Sequence, residues 1–296
     1  MHSAGKAVIS ATRFLRKVRG GSQSSLVEAS DGFLYVIKSI ENVQGANLLC
    51  NEVLGTELYR ALHLPTPEWM PVQVSLSFAK NNPGCWIEAA DEFRFPTGLC
   101  FGSRLASGRA DRLLEILPGR YLERVQNRND FWRAWVADAC ADHQDDRQAV
   151  FERDPDGVLN ASFIDHGHMF GGPGGGSTSR PQLPRYVDRR VYPAPTPTLK
   201  MQLAQFGDRL DADQLNCRVE TMPDYWKTGS AMRNFKMCLE RLSTARVREE
   251  IVNSIVASFL SLTANERTSP QFDAAPQLPL LHACIPAGEF NRAAVA

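Results

Sequence analysis

Four charged side chains stand out for where the sequence pattern places them. Lys38 closes the run Leu34-Tyr35-Val36-Ile37, whose strand alternation sets it on the face shared by Leu34 and Val36. An ammonium turned toward apolar neighbours requires an anionic partner. Glu52 follows on a stretch where Leu48, Leu49, Val53 and Tyr59 recur at helical spacing, so its carboxylate also turns inward. Asp145 follows a Trp-rich stretch. Asp165 ends the apolar run Phe163-Ile164, with Gly167 permitting a sharp turn just after it. A cation for phosphates, a carboxylate to anchor it, a carboxylate for a metal ion and another near an attacking hydroxyl are the parts phosphoryl transfer needs, because that reaction runs on positioned charge.

Other residues add to this set. Gly20-Gly21-Ser22-Gln23-Ser24 falls between two expected strands, where backbone N–H groups and hydroxyls can cover phosphates. It is neither a GxGxxG nor a Walker motif, and an ordinary hairpin turn accounts for it equally well. Asp145 and Asp146 are adjacent, so either fits a general base or a solvated loop acid. His143, His166 and His168 lie near these acids and raise a second chemistry, a His/Asp centre for a transition metal. Arg180, Arg185, Arg189 and Arg190 form a basic run that suits an acidic or phosphorylated partner or a solvated segment.

The elements that must position these groups read as follows. Residues 11–40 predict an antiparallel meander of three strands, with a hairpin turn at Asp31-Gly32. A helix over 45–62 is stopped by Leu64-Pro65-Thr66-Pro67, and a strand over 72–78 follows. Asn129 or Asp130 is placed to cap a helix whose Phe131, Trp132, Trp135, Val136 and Ala139 make one core-facing stripe. Strands around Ala149-Val150-Phe151 and Phe163-Ile164 flank the turn Asp154-Pro155-Asp156-Gly157. The stretch 171–197, rich in Gly and Pro, reads as a long mobile loop, and helices dominate from Met232 to Leu262.

Composition narrows the rest. Lys plus Arg and Asp plus Glu both number 33, so no global field favours nucleic acid or an anionic membrane surface. Seven cysteines without a CxxC pair read as free thiols of a reducing compartment rather than a zinc site. No run is apolar and long enough to span a bilayer, which predicts a cytoplasmic protein.

Val36-Ile37-Lys38, Asn51-Glu52, Leu64-Pro65-Thr66-Pro67, Asp145-x-Arg147-Gln148-x-x-Phe151 and Ile164-Asp165-His166-Gly167-His168 together resemble the HipA-like kinases over roughly residues 11–170. The resemblance implies an α+β, bilobal kinase-like fold: a small N-terminal antiparallel-sheet lobe with one helix, and a larger, mostly helical C-terminal lobe. It implies an ATP-dependent enzyme that passes the γ-phosphate to a hydroxyl, in the best-known members a Ser or Thr of a protein. Carried over, Lys38 holds ATP phosphates, Glu52 anchors Lys38, Asp145 is the base and Asp165 binds Mg2+. The family's asparagine metal ligand, five residues after the catalytic aspartate, is here Val150, so Gln148 substitutes through its amide oxygen or the second metal is lost.

The expected organisation is an ATP-binding lobe over 1–80, an inter-lobe connection over 81–128, a catalytic lobe over 129–262 and a flexible tail over 263–296. In the phosphotransferase reading the Gly20, Gly21, Ser22 and Gln23 turn, with Lys38 and Glu52, holds ATP. Asp165 and Gln148 hold Mg2+, Asp145 orients the acceptor, and neither nucleic acid nor membrane is a partner. The alternatives are a nucleotide-binding pseudokinase or interaction module, and the His/Asp metal-dependent hydrolase.

Overall fold

A computed structural model of the chain describes residues 6–18, 20–105, 113–176, 185–208 and 210–268. Strand β1 (Ile9–Lys17), β2 (Ser25–Ala29) and β3 (Leu34–Lys38) form the expected meander. Its second turn is built by the residues that foretold it: Gly32 takes φ 79°, and Asp31 accepts hydrogen bonds from the Phe33 N–H at 3.1 Å and the Tyr35 hydroxyl at 2.8 Å.

Helix α1 (Leu48–Ala61) follows, and the chain then turns through His63 at φ 54° before the Pro65 and Pro67 segment. Strand β4 (Trp69–Val74) begins and ends earlier than the periodicity implies. Ser75 takes extended backbone and accepts from the Phe78 N–H at 3.1 Å, so its hydroxyl starts a short helix, α2 (Leu76–Asn81), where strand was expected. A small hairpin of β5 (Ile87–Ala89) and β6 (Glu92–Arg94) leads to β7 (Gly98–Arg104).

Strand β7 inserts between β3 and β4, and parallel pairing of Ile9 with Val72 closes the order β1-β2-β3-β7-β4 into a barrel. The first sheet unit therefore reaches past residue 80 and draws a strand from the segment read as a connection. Its interior holds Val27, Tyr35, Ile37, Val72, Val74 and Cys100. Because side chains alternate along β3, burying Tyr35 and Ile37 in the barrel puts Lys38 on the opposite face.

Strand β8 (Leu113–Leu114) and helix α3 (Gly119–Leu122) precede α4 (Asn129–Cys140), whose aromatic stripe is buried as its spacing predicts. Neither Asn129 nor Asp130 caps it: Arg128 holds the cap position without a side-chain bond, and Asp130 lies in the first turn. Strands β9 (Gln148–Arg153) and β10 (Leu159–Ile164) pair antiparallel in the order β10-β9-β8, with Gln148 opposite Ile164 and Arg153 opposite Leu159.

Gly171, Gly172 and Pro173 are buried, so the Gly-rich stretch begins as packed structure. Positive φ at both glycines, 82° and 75°, lets the chain fold back on itself there. Helices α5 (Pro197–Ala204), α6 (Ala212–Val219), α7 (Gly229–Ser243) and α8 (Ala245–Thr268) follow among the described residues. The end of α8, from Ala257, is a unit of its own. Residues 269–296, most of the expected tail, lie outside the described residues, as does Arg180. Among the described residues every cysteine is a free thiol, and no helix is long and apolar enough to cross a membrane.

Candidate functional site

Helix α1 is buried from Leu48 to Tyr59, so any charge on it must be partnered within the protein. Glu52, 2% exposed, receives an ion pair from Lys38 and hydrogen bonds from the His166 N–H at 3.2 Å and the Gly167 N–H at 2.9 Å. Lys38 Nζ also lies 2.6 Å from Asp165 Oδ1. A strand, a helix and the loop after a second strand thus converge on one ammonium.

The approach is tight enough to dictate residue types. A Cβ at Gly167 would come within 2.3 Å of Leu48, and one at Gly55 within 2.4 Å of His166. Asp165 itself takes φ 61°, a left-handed conformation uncommon for a residue with a Cβ, and such conformations concentrate at functional sites.

Two carboxylates share one cation, and the charges respond. Burial opposes the Lys38 charge, but Glu52 and Asp165 outweigh it and hold the ammonium above its ordinary range. Burial would raise Asp165, yet Lys38 overrides it and keeps that carboxyl below the usual carboxylate range. Glu52 is pushed up by burial more than Lys38 pulls it down. The Asp165 side chain is 25% exposed against 2% for Glu52. Asp165 therefore has the carboxylate that can meet a cation, and the surplus negative charge of the trio suits a divalent one. Among the described residues no three His, Cys, Asp or Glu side chains cluster to hold a metal unaided.

The neighbouring loops are fastened to the same frame. Asn51, fully buried beside Glu52, donates through Nδ2 to the Gly167 carbonyl at 3.0 Å and the Gly172 carbonyl at 3.1 Å. Arg147 is buried and grips Asp138 with two bonds, 2.8 and 2.5 Å, while donating to the Ile164 carbonyl at 2.8 Å. Tyr59 closes this network by donating to Asp138 at 2.7 Å. The Gln144 N–H donates to the His168 carbonyl at 2.8 Å, strapping the loop before β9 to the loop after β10.

Asp145 is exposed and accepts from the Asp146 N–H at 2.8 Å; Gln148 is exposed at the β9 end opposite Ile164. Neither bonds to the Lys38 trio. In the turn between β1 and β2, Gln23 is at φ 49° and its amide is committed to the Glu88 backbone, by bonds of 2.7 and 2.8 Å. The Ser22 hydroxyl is 2.9 Å from that of Ser24. The N–H groups of Gly21 and Ser22 have no acceptor among the described residues, and they, rather than the Gln23 side chain, are the donors the turn can offer.

The histidines do not form a metal centre among the described residues. His166 sits between Thr66 Oγ1 at 3.2 Å and Arg147 Nη1 at 3.3 Å, and His143 lies 3.4 Å from Arg147. Burial, then Arg147, holds both imidazoles far below their ordinary value, so they are neutral packing groups. His168 meets Gln44 at 3.1 Å.

Sequence reasoning quoted Asn51 and Arg147 within motifs but gave neither a structural role, and it missed Asp138. A buried acid on the apolar face of α4 was the available signal for Asp138, since such a charge must find a cation.

The architecture is a mixed α/β fold of the kinase-like kind. It is similar to the crystal structure of a Helicobacter pylori proinflammatory kinase, CtkA, with a TM-score of 0.52 at 9% sequence identity, over 84% of this chain and 99% of that one. At that identity the likeness is one of fold. No protein family description matches the sequence, and no curated protein matches it.

Proposed function

We propose that this chain is an ATP-dependent phosphotransferase of the HipA-like kind, passing the γ-phosphate to a hydroxyl, in first place a Ser or Thr of a protein. The observation that carries the reading is the sharing of Lys38 between Glu52 and Asp165, joined to a kinase-like fold. Lys38 would bind phosphate oxygens, with Glu52 fixing its direction, and the free N–H groups of Gly21 and Ser22 would cover the phosphates. Asp165 and the Gln148 amide oxygen are the groups that would hold Mg2+, which when bound neutralises phosphate charge. Asp145 would take the proton from the acceptor hydroxyl as that oxygen bonds to phosphorus and the bond to ADP breaks. The barrel and the helices stand as the ATP-binding and catalytic parts of this reading, in a bilobal, cytoplasmic enzyme.

Val150 favours a second reading, a nucleotide-binding pseudokinase. It is a half-buried strand residue opposite Ser162, so the usual amide ligand is replaced by an alkyl group. ATP binding and hydrolysis with and without Mg2+ decide between the two. Turnover that needs Mg2+ and disappears in Asp165→Ala is the expected result; binding without turnover in any condition establishes the pseudokinase.

A further inference from the structure

The β9–β10 hairpin has two ends, and only one carries Gln148 and leads to Asp165. At the other, Tyr121, Arg124, Gln126, Arg153 and Val158 border a cavity of about 390 Å³, a size typical of ligand clefts. Among the described residues no carboxylate lines it. Arg124 and Arg153 are exposed, and neither forms an ion pair among the described residues. Asp154, the acid next to Arg153, is occupied in the turn, where it accepts from the Val158 N–H at 2.8 Å.

The cavity wall is held in place. The Gln126 N–H donates to the Leu159 carbonyl at 2.8 Å, and Val125 pairs with Leu159 in a parallel bridge, tying the segment that bears Arg124 to the edge of β10. The Arg124 guanidinium lies 5.4 Å from the Tyr121 ring centre and that of Arg120 5.0 Å from it, so the ring helps to hold the cations. Arg124 against the ring and Arg153 lining the same cavity, neither with a carboxylate partner among the described residues, suit a dianionic group, a phosphate ester or paired carboxylates.

We propose that this groove docks an anionic peptide segment, phosphorylated or rich in Glu and Asp, of the protein that brings the accepting hydroxyl. The acceptor role rests on the phosphotransferase reading; the affinity for an anionic peptide does not. A peptide is favoured over nucleic acid because the chain has formal net charge +0 and the groove a single ring, whereas strands of phosphates are held by rows of cations and stacked aromatics. From Leu159 to Ile164 the strand advances roughly 17 Å, at about 3.3 Å per residue. An extended peptide bridges that distance with about five residues, so the anionic group and the hydroxyl stand at least about that far apart.

The test is fluorescence anisotropy of the full chain with three labelled peptides, identical except for a phosphoserine, a Glu-Glu pair or a serine at one position. The first or second should bind, with affinity falling as salt rises, and the serine peptide should not. A preference for the first assigns a phosphorylated partner, and equal binding of the first two an acidic one. Arg124→Glu combined with Arg153→Glu should weaken binding by about tenfold while Mg2+-dependent ATP turnover is unchanged. Equal affinity for the serine peptide, unchanged affinity in the double variant, or tighter binding of a single-stranded oligonucleotide overturns the proposal. Turnover without peptide binding defeats the groove alone; peptide binding without turnover defeats the phosphotransferase reading alone.

Discussion

Lys38 and Asp165 stand 127 residues apart in the chain and meet at 2.6 Å, with Glu52 on the other side of the same ammonium. Because Glu52 also holds the His166 and Gly167 N–H groups, the cation, its anchor and the loop after Asp165 form one object. Removing the cation from it leaves two carboxylates facing each other without compensation.

Lys38→Met should therefore be costly to stability as well as to activity. Breaking a buried ion pair from one side costs on the order of 3–5 kcal/mol, because the remaining charge stays buried and unpaired. Adding Glu52→Gln to Lys38→Met should recover part of that loss, since an amide carries no charge to strand. Urea unfolding of the wild type, both single variants and the double variant measures the coupling. Strict additivity of the two substitutions would show that the pair does not stabilise the fold.

Asp165→Asn and Asp145→Asn should separate two roles. In Asp165→Asn the new amide oxygen can still accept from Lys38, so the fold should survive, but the charge that would hold Mg2+ is gone and Mg2+-dependent turnover should vanish. Asp145 is exposed and, among the described residues, bonds to the neighbouring Asp146 N–H, so Asp145→Asn should leave ATP affinity nearly intact. If Asp145 is the base, kcat falls by roughly 10²- to 10⁴-fold. Undiminished kcat would move the assignment to Asp146.

Asn51→Leu should act on the Asp165 loop without touching Lys38. It leaves the buried Gly167 carbonyl without the Asn51 donor, a loss of about 1–3 kcal/mol for that group, while the Gly172 carbonyl keeps the Gly175 N–H at 3.0 Å. If Asn51 sets the loop that presents Asp165, the variant should also need more Mg2+ for half-maximal turnover, at unchanged ATP affinity. A variant that is less stable but shows the wild-type Mg2+ requirement would reduce Asn51 to a structural role.

What the sequence made legible was whatever follows from short-range periodicity. Alternation along Leu34–Lys38 and the helical spacing around Glu52 located two charges that turn inward, and both meet as expected. Asp165 was legible because an apolar strand ended on it. Strand β7 was not, because its place between β3 and β4 is a long-range pairing that no local pattern encodes. The Asp138–Arg147 pair was hidden for the same reason, although a buried acid on α4 demanded a cation. Glycine content misled at 171–173, where composition suggests mobility but positive φ and the donors of Asn51 and Asn234 hold the backbone in place.

The buried network beneath the site makes a pH dependence of stability that does not involve the Lys38 trio. His143 is enclosed beside Arg147, with Asp138 also at hand, and burial followed by the Arg147 charge keeps it neutral far below its ordinary value. In the unfolded chain a histidine takes up a proton near pH 6.5. Above that value both states are neutral and His143 adds no slope. Below it the unfolded state binds a proton that the folded state refuses, so stability falls as pH falls, by up to about 1.4 kcal/mol per pH unit for this one group. Urea unfolding between pH 7 and pH 5, above the range where most carboxylates titrate, should show that decline, and His143→Gln should flatten it by about one proton. An unchanged slope in His143→Gln would mean that this imidazole is protonated in the folded protein, with Asp138 rather than Arg147 setting its charge.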